Sequence, residues 1–229
     1  MDLADGIKES LKSVRGFART FINILGAPRA YGSGGALFDG NRFNEALLFL
    51  GVSLVATMIL RAPLFETQPA TLTYLASDAI WKFAVVLLET AIITAVWRLL
   101  KGHGSAANYL VANCFYFGVL SVIGHTYVLI LHGAGLVVEP QHAPLNAWED
   151  ILQHAERYLV SIIGLAIIVW GFLSWRAYGD FNRASLKRTI AALTLVIVAS
   201  IPVLWVGGIL RSQLLKHLTE GNKHIISPG

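Results

Sequence analysis

The chain alternates long apolar runs with short polar segments, and five of the runs are long enough to cross a membrane. The predicted spans cover about residues 43–60, 78–100, 108–131, 158–175 and 189–210. A hydrocarbon core of about 30 Å needs roughly 20 helical residues at 1.5 Å each. The pattern therefore predicts an all-α polytopic membrane bundle of five transmembrane helices.

The last two runs flank a short basic hinge. Neither the run 158–175 nor the run 189–210 contains a charged residue. The hinge sets four cations against the single acid Asp180: Arg176, Arg183, Lys187 and Arg188. Basic loops stay in the cytoplasm, so with five spans the hinge predicts a cytoplasmic N-terminus and an external C-terminus.

An amphipathic helix is predicted ahead of the first span. Residues 3–25 repeat apolar side chains at spacings of three and four. Basic side chains form a separate stripe: Lys8, Lys12, Arg15 and Arg19. An apolar face beside a basic stripe predicts a helix in the plane of a bilayer that contains anionic lipid. The alternative is a helix packed on the protein's own cytoplasmic loops.

Glycine and proline mark the next segment, residues 26–42, which contains five glycines and one proline. Such a composition does not sustain a helix, and we expect a flexible connector. Neither the Walker spacing nor the dinucleotide-binding glycine spacing is found in it. The predicted organisation is 1–42 for the cytoplasmic helix and connector, 43–210 for the membrane domain and 211–229 for a short tail.

Within the membrane domain, Asp78 is expected to cap the second span. The longest predicted loop covers residues 132–157.

Composition supports the membrane class. Hydrophobic residues make up 55% and charged residues 14% of the 229 residues, where a soluble domain carries about 25% charged residues. We assign the net charge of +4 to orientation signals and contact with anionic lipid, and we expect no nucleic-acid partner. Cys114 is the one cysteine, so an intrachain disulfide is impossible.

Catalytic signatures such as G-x-S-x-G and H-E-x-x-H do not occur in the sequence. We therefore expect no enzymatic activity, no cofactor and no bound metal. An external metal site is the weaker hypothesis, because imidazole and carboxylate ligate metals. It would use side chains that follow no compact ligand spacing, namely His125, His132, His142, His154, Glu139 and Glu149.

Polar residues inside the spans carry more information, and four are candidates: Glu89, Asn113, His125 and Ser200. A carboxyl group is costly in lipid, so Glu89 is predicted to face the bundle interior. Ser200 lies at a similar depth, and Pro202 removes the helical donor of the Val198 carbonyl. We expect Glu89 to donate to one of these two groups. Two interpretations remain open: a structural hydrogen bond between helices, or a proton or substrate site.

The order of these features resembles the Yip family, five-span membrane proteins named for interaction with Ypt/Rab GTPases. The resemblance covers about residues 28–210. It rests on Pro28-Arg-Ala-Tyr31 before the first span, Lys101-Gly-His-Gly-Ser105 between the second and third, and the basic hinge with a proline in the fifth span. The Gly-x-Gly-Ser connector is similar to that of prokaryotic members. Of the eukaryotic Asp-Leu-Tyr-Gly-Pro motif only Tyr31-Gly32 matches, which favours a prokaryotic relative.

This resemblance implies a non-enzymatic protein of the plasma membrane, here the prokaryotic cytoplasmic membrane. Its role would be to organise membrane or to bind a partner protein in trafficking, with the partner unknown and an oligomer possible. The alternative function is a small transporter, or a transporter subunit, that uses Glu89.

Overall fold

The computed structural model of the chain describes the backbone of residues 3–33, 36–61, 72–133 and 147–225. Side-chain surroundings are described for 15–32, 37–60, 77–133 and 158–209. Within these ranges the chain is helical and contains no strand. The helices are α1 (Leu3–Gly26), α2 (Pro28–Ser33), α3 (Phe43–Arg61), α4 (Leu72–Leu99), α5 (Ala106–Gly133), α6 (Ala147–Phe181) and α7 (Leu186–Ile225), with 3-10 turns at Ala36–Phe38 and Gly40–Arg42.

The five helices α3 to α7 are each long and apolar enough to cross a membrane. Their candidate spans are Gly40–Leu60, Ser77–Leu99, Ala106–Gly133, Tyr158–Phe181 and Leu186–Ile209. The predicted fold class, an all-α bundle of five transmembrane helices preceded by an N-terminal helix, is therefore confirmed.

Several helices extend beyond the predicted boundaries. α4 begins at Leu72, so Asp78 lies inside the helix instead of capping it. There it is 2% exposed and one of its carboxylate oxygens lies 3.0 Å from Nζ of Lys82. α6 begins inside the predicted 132–157 loop, at Ala147, and α7 continues through most of the predicted tail. Extending an existing helix costs much less than nucleating a new one, which explains helices that outrun their apolar stretches.

The expectation of a flexible connector at 26–42 is wrong for the residues that the structure describes. Pro28 opens the short helix α2, at the position where a missing N–H is tolerated best. Leu37 and Phe38 are 0% and 1% exposed. The segment is therefore anchored in the bundle through four buried residues, Pro28, Gly32, Leu37 and Phe38, and Gly32 allows the closest approach to neighbouring helices.

One end of the bundle, which we call the connector end, carries both short interhelical connections. These are residues 100–105 between α4 and α5, and residues 182–185 between α6 and α7. α4 and α6 end in the same way, with a cation in the left-handed region, Lys101 at φ 56° and Arg183 at φ 51°. In each case the next amide closes the helix by bonding five residues back, Gly102 to Trp97 at 2.6 Å and Ala184 to Gly179 at 2.8 Å. This Schellman geometry makes both turns tight and defined.

Candidate functional site at the connector end

The C-terminal part of α1 packs against the bundle. The Phe17 ring lies 4.8 Å from that of Phe49 on α3, and Ile24 is fully buried in the core. The indole N–H of Trp170 on α6 lies 3.3 Å from the Ile24 carbonyl and 3.1 Å from the Leu25 carbonyl. These carbonyls belong to the last turn of α1, where carbonyl groups have no N–H donor within their own helix. Trp170 therefore acts as a C-cap supplied by another helix.

The end of α1 reaches deep into the bundle. Trp170 precedes the end of α6 at Phe181 by eleven residues, about 16 Å of helix rise. That depth is about half of a 30 Å hydrocarbon core. Pro28 is still near that depth, since its carbonyl accepts from the Tyr116 hydroxyl at 2.9 Å and the Tyr116 ring contacts Trp170. The Arg29 side chain then reaches back to the connector end, where it pairs with Asp180 in the last turn of α6. Residues 15–32, in which Ala27 alone separates α1 from α2, are here called the wedge.

The wedge depends on a close contact at Gly32. A Cβ atom there would lie 2.6 Å from Cβ of Ala177 and even closer to the Tyr116 hydroxyl. Since real Cβ atoms do not approach that closely, only glycine lets α2 pack directly between α5 and α6. Gly16, on the other arm of the wedge, has nothing within 4 Å of the same hypothetical atom.

The predicted basic stripe lies on a different face of α1 from the packed one. Arg15 and Arg19 are exposed, whereas the side chains of Lys8 and Lys12 lie outside the described residues. Ile22, one turn beyond Arg19 on the same face, is 64% exposed, and Leu25 is 39% exposed. The alternative of packing on the protein itself thus holds for one face of α1. The opposite face presents both apolar and basic groups.

An ion-pair network joins the wedge to the hinge between α6 and α7. Arg29 Nε donates to an Asp180 carboxylate oxygen at 2.7 Å, and the Arg176 guanidinium lies 3.2 Å from the other oxygen. Arg176 also donates to the Thr189 hydroxyl on α7 at 2.9 Å. The carboxylate of Asp180 raises the pKa of Arg29 through its hydrogen bond and charge. Arg29 therefore stays charged over the whole pH range in which a protein remains folded.

A cavity of about 530 Å³, widely open on one side, lies between the wedge and α6. Residues 26–30 form one wall, and Leu173 and Asp180 form the other. Its lining is apolar except for the Arg29 and Asp180 side chains at one end. The volume falls within the usual range of small-molecule sites, about 300–1,000 Å³.

Asn182 fastens the two connectors to each other. Its side-chain oxygen accepts from the Tyr109 hydroxyl at 2.7 Å and from the His103 amide at 3.0 Å. The Gly104 amide lies at 3.4 Å from the same oxygen. Its own amide group donates to the Tyr178 carbonyl at 2.8 Å. With Asn182 only 2% exposed, this is a buried and satisfied polar junction.

Aromatic side chains fill the space around this junction. The rings of Phe38 and Phe181 stack at 4.3 Å, and those of Trp175 and Tyr178 stack at 5.0 Å. The Trp175 indole donates to the Thr189 carbonyl at 2.9 Å. These contacts join the 3-10 turn Ala36–Phe38 to α6, and α6 to α7, at the connector end.

Two of the four predicted intramembrane polar residues lie together. The Glu89 carboxyl on α4 lies near the Asn113 side chain on α5. Asn113 also donates to the Val86 carbonyl at 3.0 Å and to the Thr90 hydroxyl at 3.1 Å. The polar neighbour of Glu89 thus lies on α5, whereas the sequence placed its partner on α7, because the packing of α4 on α5 brings Asn113 to the same depth.

The other two candidates lie apart from this pair. Ser200 is buried on α7 at 9% exposure. His125 lies on α5, where its Nδ1 is 2.7 Å from the Ser121 carbonyl of the same helix. No cluster of three metal-ligating side chains occurs among the residues whose surroundings are described. His142, Glu139 and the side chains of His154 and Glu149 lie outside them.

Sequence reasoning missed the residues that hold the connector end together. Arg29 and Gly32 lie in the segment expected to be flexible, and Asn182 has no local signal at all. Asp180 had one, since a single acid among four hinge cations suggests an ion pair. No protein-family model, curated protein or solved structure matches the chain. The fold therefore defines the class, an integral membrane protein with five candidate spans.

Proposed function

We propose that this chain is a non-enzymatic membrane-organising protein, as its resemblance to the Yip family implies, and that it acts through the wedge. The observation that carries this proposal is the depth of the wedge, which reaches about 16 Å along α6 from the connector end. A helical segment at that depth occupies area in one leaflet only. Such one-sided insertion expands the leaflet that contains the wedge. It therefore favours a membrane that is convex on that side.

The exposed face of α1 supports insertion into a cytoplasmic leaflet. Ile22 and Leu25 would contact acyl chains, and Arg15 and Arg19 would reach anionic headgroups, at about 1 kcal/mol for each basic residue near the surface. The connector end also carries the basic hinge. We therefore assign it to the cytoplasmic side of a prokaryotic inner membrane, with the N-terminus inside and the C-terminus outside.

Reconstitution tests this function. The protein is placed in large liposomes that contain anionic lipid, and vesicle diameter is measured by cryo-electron microscopy. Gly32→Leu should expel α2 from between α5 and α6, whereas Gly16→Ala adds a methyl group in open space. The wild-type protein and Gly16→Ala should both narrow or tubulate the vesicles, and Gly32→Leu should leave them as large as empty controls. Equal diameters for all three proteins would overturn the proposal, provided that circular dichroism shows Gly32→Leu to be helical.

A small transporter is the second candidate, and the pairing of Glu89 with Asn113 favours it. A half-buried carboxyl group beside Asn113, with Thr90 bonded to the same asparagine, has the chemistry of an intramembrane proton site. Proton-coupled flux in liposomes that disappears in Glu89→Gln would support this function. Membrane narrowing that survives the same substitution would favour the organising role.

A further inference from the structure

We propose that the cavity between the wedge and α6 binds one anionic phospholipid molecule. The phosphate would contact Arg29, and an acyl chain would follow α6 toward Leu173. The cavity is distinct from the basic stripe of α1, which would attract many lipids without holding a particular one.

The polarity of the cavity matches that of a lipid aligned with the membrane normal. Its charged residues, Arg29 and Asp180, lie at the connector end of α6, where a headgroup would be. Leu173 precedes Asp180 by seven residues, about 10 Å deeper in the bundle. The remaining lining at the wedge is apolar or glycine, from Gly26 to Ala30. A cavity that is polar at its mouth and apolar below matches the polar headgroup and apolar chains of an amphiphile.

The charge of the mouth selects an anion. Asp180 faces two guanidinium groups, those of Arg29 and Arg176, so the three side chains together carry a net positive charge. Arg29 uses Nε for its short bond to Asp180, and its second contact is long at 3.4 Å. Its side chain is 52% exposed, so donors of the planar guanidinium remain accessible to phosphate oxygens.

Native mass spectrometry of the detergent-solubilised full chain tests the site. The protein is incubated with equal amounts of phosphatidylglycerol and phosphatidylcholine of the same acyl length, and retained lipid is counted. Wild type should keep one phosphatidylglycerol several-fold better than phosphatidylcholine. In Arg29→Gln the ratio of retained phosphatidylglycerol to retained phosphatidylcholine should fall about fivefold, the equivalent of one basic residue at an anionic surface. Arg29→Lys should keep most of the wild-type ratio. Arg42→Gln is the matched control, because Arg42 is an ion-paired arginine outside the cavity.

Two further measurements distinguish recognition of the lipid headgroup from contact with its acyl chain. Leu173→Trp should fill the end of the cavity away from Arg29 and reduce retention of phosphatidylglycerol while Arg29 remains intact. Glycerol 3-phosphate at the same concentration should not displace the lipid. Displacement by glycerol 3-phosphate would mean a free-anion site, and equal retention of the two lipids would mean no headgroup site. Either result, or equal losses in Arg29→Gln and Arg42→Gln, would overturn the proposal.

Discussion

The two halves of α5 are packed very differently, although both are apolar and belong to one helix. The half nearer the connector end contains nine buried residues between Tyr109 and Val119. In the other half, from Leu120 to Gly133, every side chain is at least partly exposed. α6 repeats this contrast: five of its residues from Trp170 to Tyr178 are buried, whereas Val160 is the one buried residue from 158 to 169.

The difference teaches that tertiary contacts, and not hydrophobicity, distinguish the two halves. In lipid, an apolar side chain gains little by leaving the acyl chains, so helices associate where small residues and hydrogen bonds allow close contact. The wedge, Asn182 and the ion-pair network supply such contacts at the connector end. The half without them is free to face lipid. Substitutions should therefore be felt in proportion to their closeness to the connector end.

The largest expected effect concerns the side of the membrane on which the connector end lies, and it is an all-or-none difference in labelling. Cys114 is buried, so single cysteines can be introduced on a Cys114→Ala background and labelled in intact cells. Cysteines at Ser105 and Arg183 should be protected from a membrane-impermeant maleimide until the membrane is opened, because both belong to the connector end. A cysteine at Pro140 should react in intact cells. The opposite pattern would place the connector end outside and contradict our cytoplasmic assignment.

Removal of the Asn182 side chain should be the most costly single substitution at the connector end. Asn182→Ala leaves the buried Tyr109 hydroxyl and the His103 amide without their acceptor, and each unsatisfied group costs about 1–3 kcal/mol. We expect a loss of about 3 kcal/mol in the unfolding free energy in detergent. Tyr109→Phe should cost less in the Asn182→Ala background than in wild type, since its partner is already gone. Additive losses would show that the junction does not act as a unit.

A glycine pair on α5 compares the two halves directly. A Cβ at Gly118 would lie 2.8 Å from Oγ of Ser53 and 2.9 Å from the Phe49 ring, whereas one at Gly124 meets nothing within 4 Å. Gly118→Ala should destabilise the protein by about 1–3 kcal/mol through overpacking. Gly124→Ala should be neutral or slightly stabilising, because alanine is the better helix former. Thermal unfolding in one detergent measures both, and equal effects would remove the distinction between the halves.

The smallest expected effect concerns Glu89, which lies near Asn113 in the packed half of α5. Glu89→Gln keeps the hydrogen-bonding capacity toward Asn113 and should unfold at nearly the wild-type temperature. Glu89→Leu loses it and should cost about 0.6–2 kcal/mol, the usual range for a polar contact between membrane helices. If Glu89→Leu proves as stable as wild type, the contact with Asn113 contributes nothing to packing. Flux or cellular function measured on the same variants separates the structural role from a proton site.

The sequence by itself determined the number of spans, the amphipathic helix ahead of them and the basic hinge. Each is a local property, because about 20 apolar residues in a row suffice to specify a spanning helix. The apolar pattern of 158–175, for example, identified the span of α6 without any knowledge of its neighbours. Helix ends were placed less well, since residues such as Leu72 and Ala147 join a helix that already exists.

Only the tertiary structure decided where the wedge lies and what holds it. The contact between Arg29 and Asp180 joins residues 151 positions apart, and that of Trp170 with Ile24 spans 146. No pattern in either segment specifies such a pair. Glycine and proline, read locally, predicted a flexible connector at 26–42. In the bundle the same residues allow α2 to pack against α5 and α6, because a missing Cβ helps only where a neighbour fills its place.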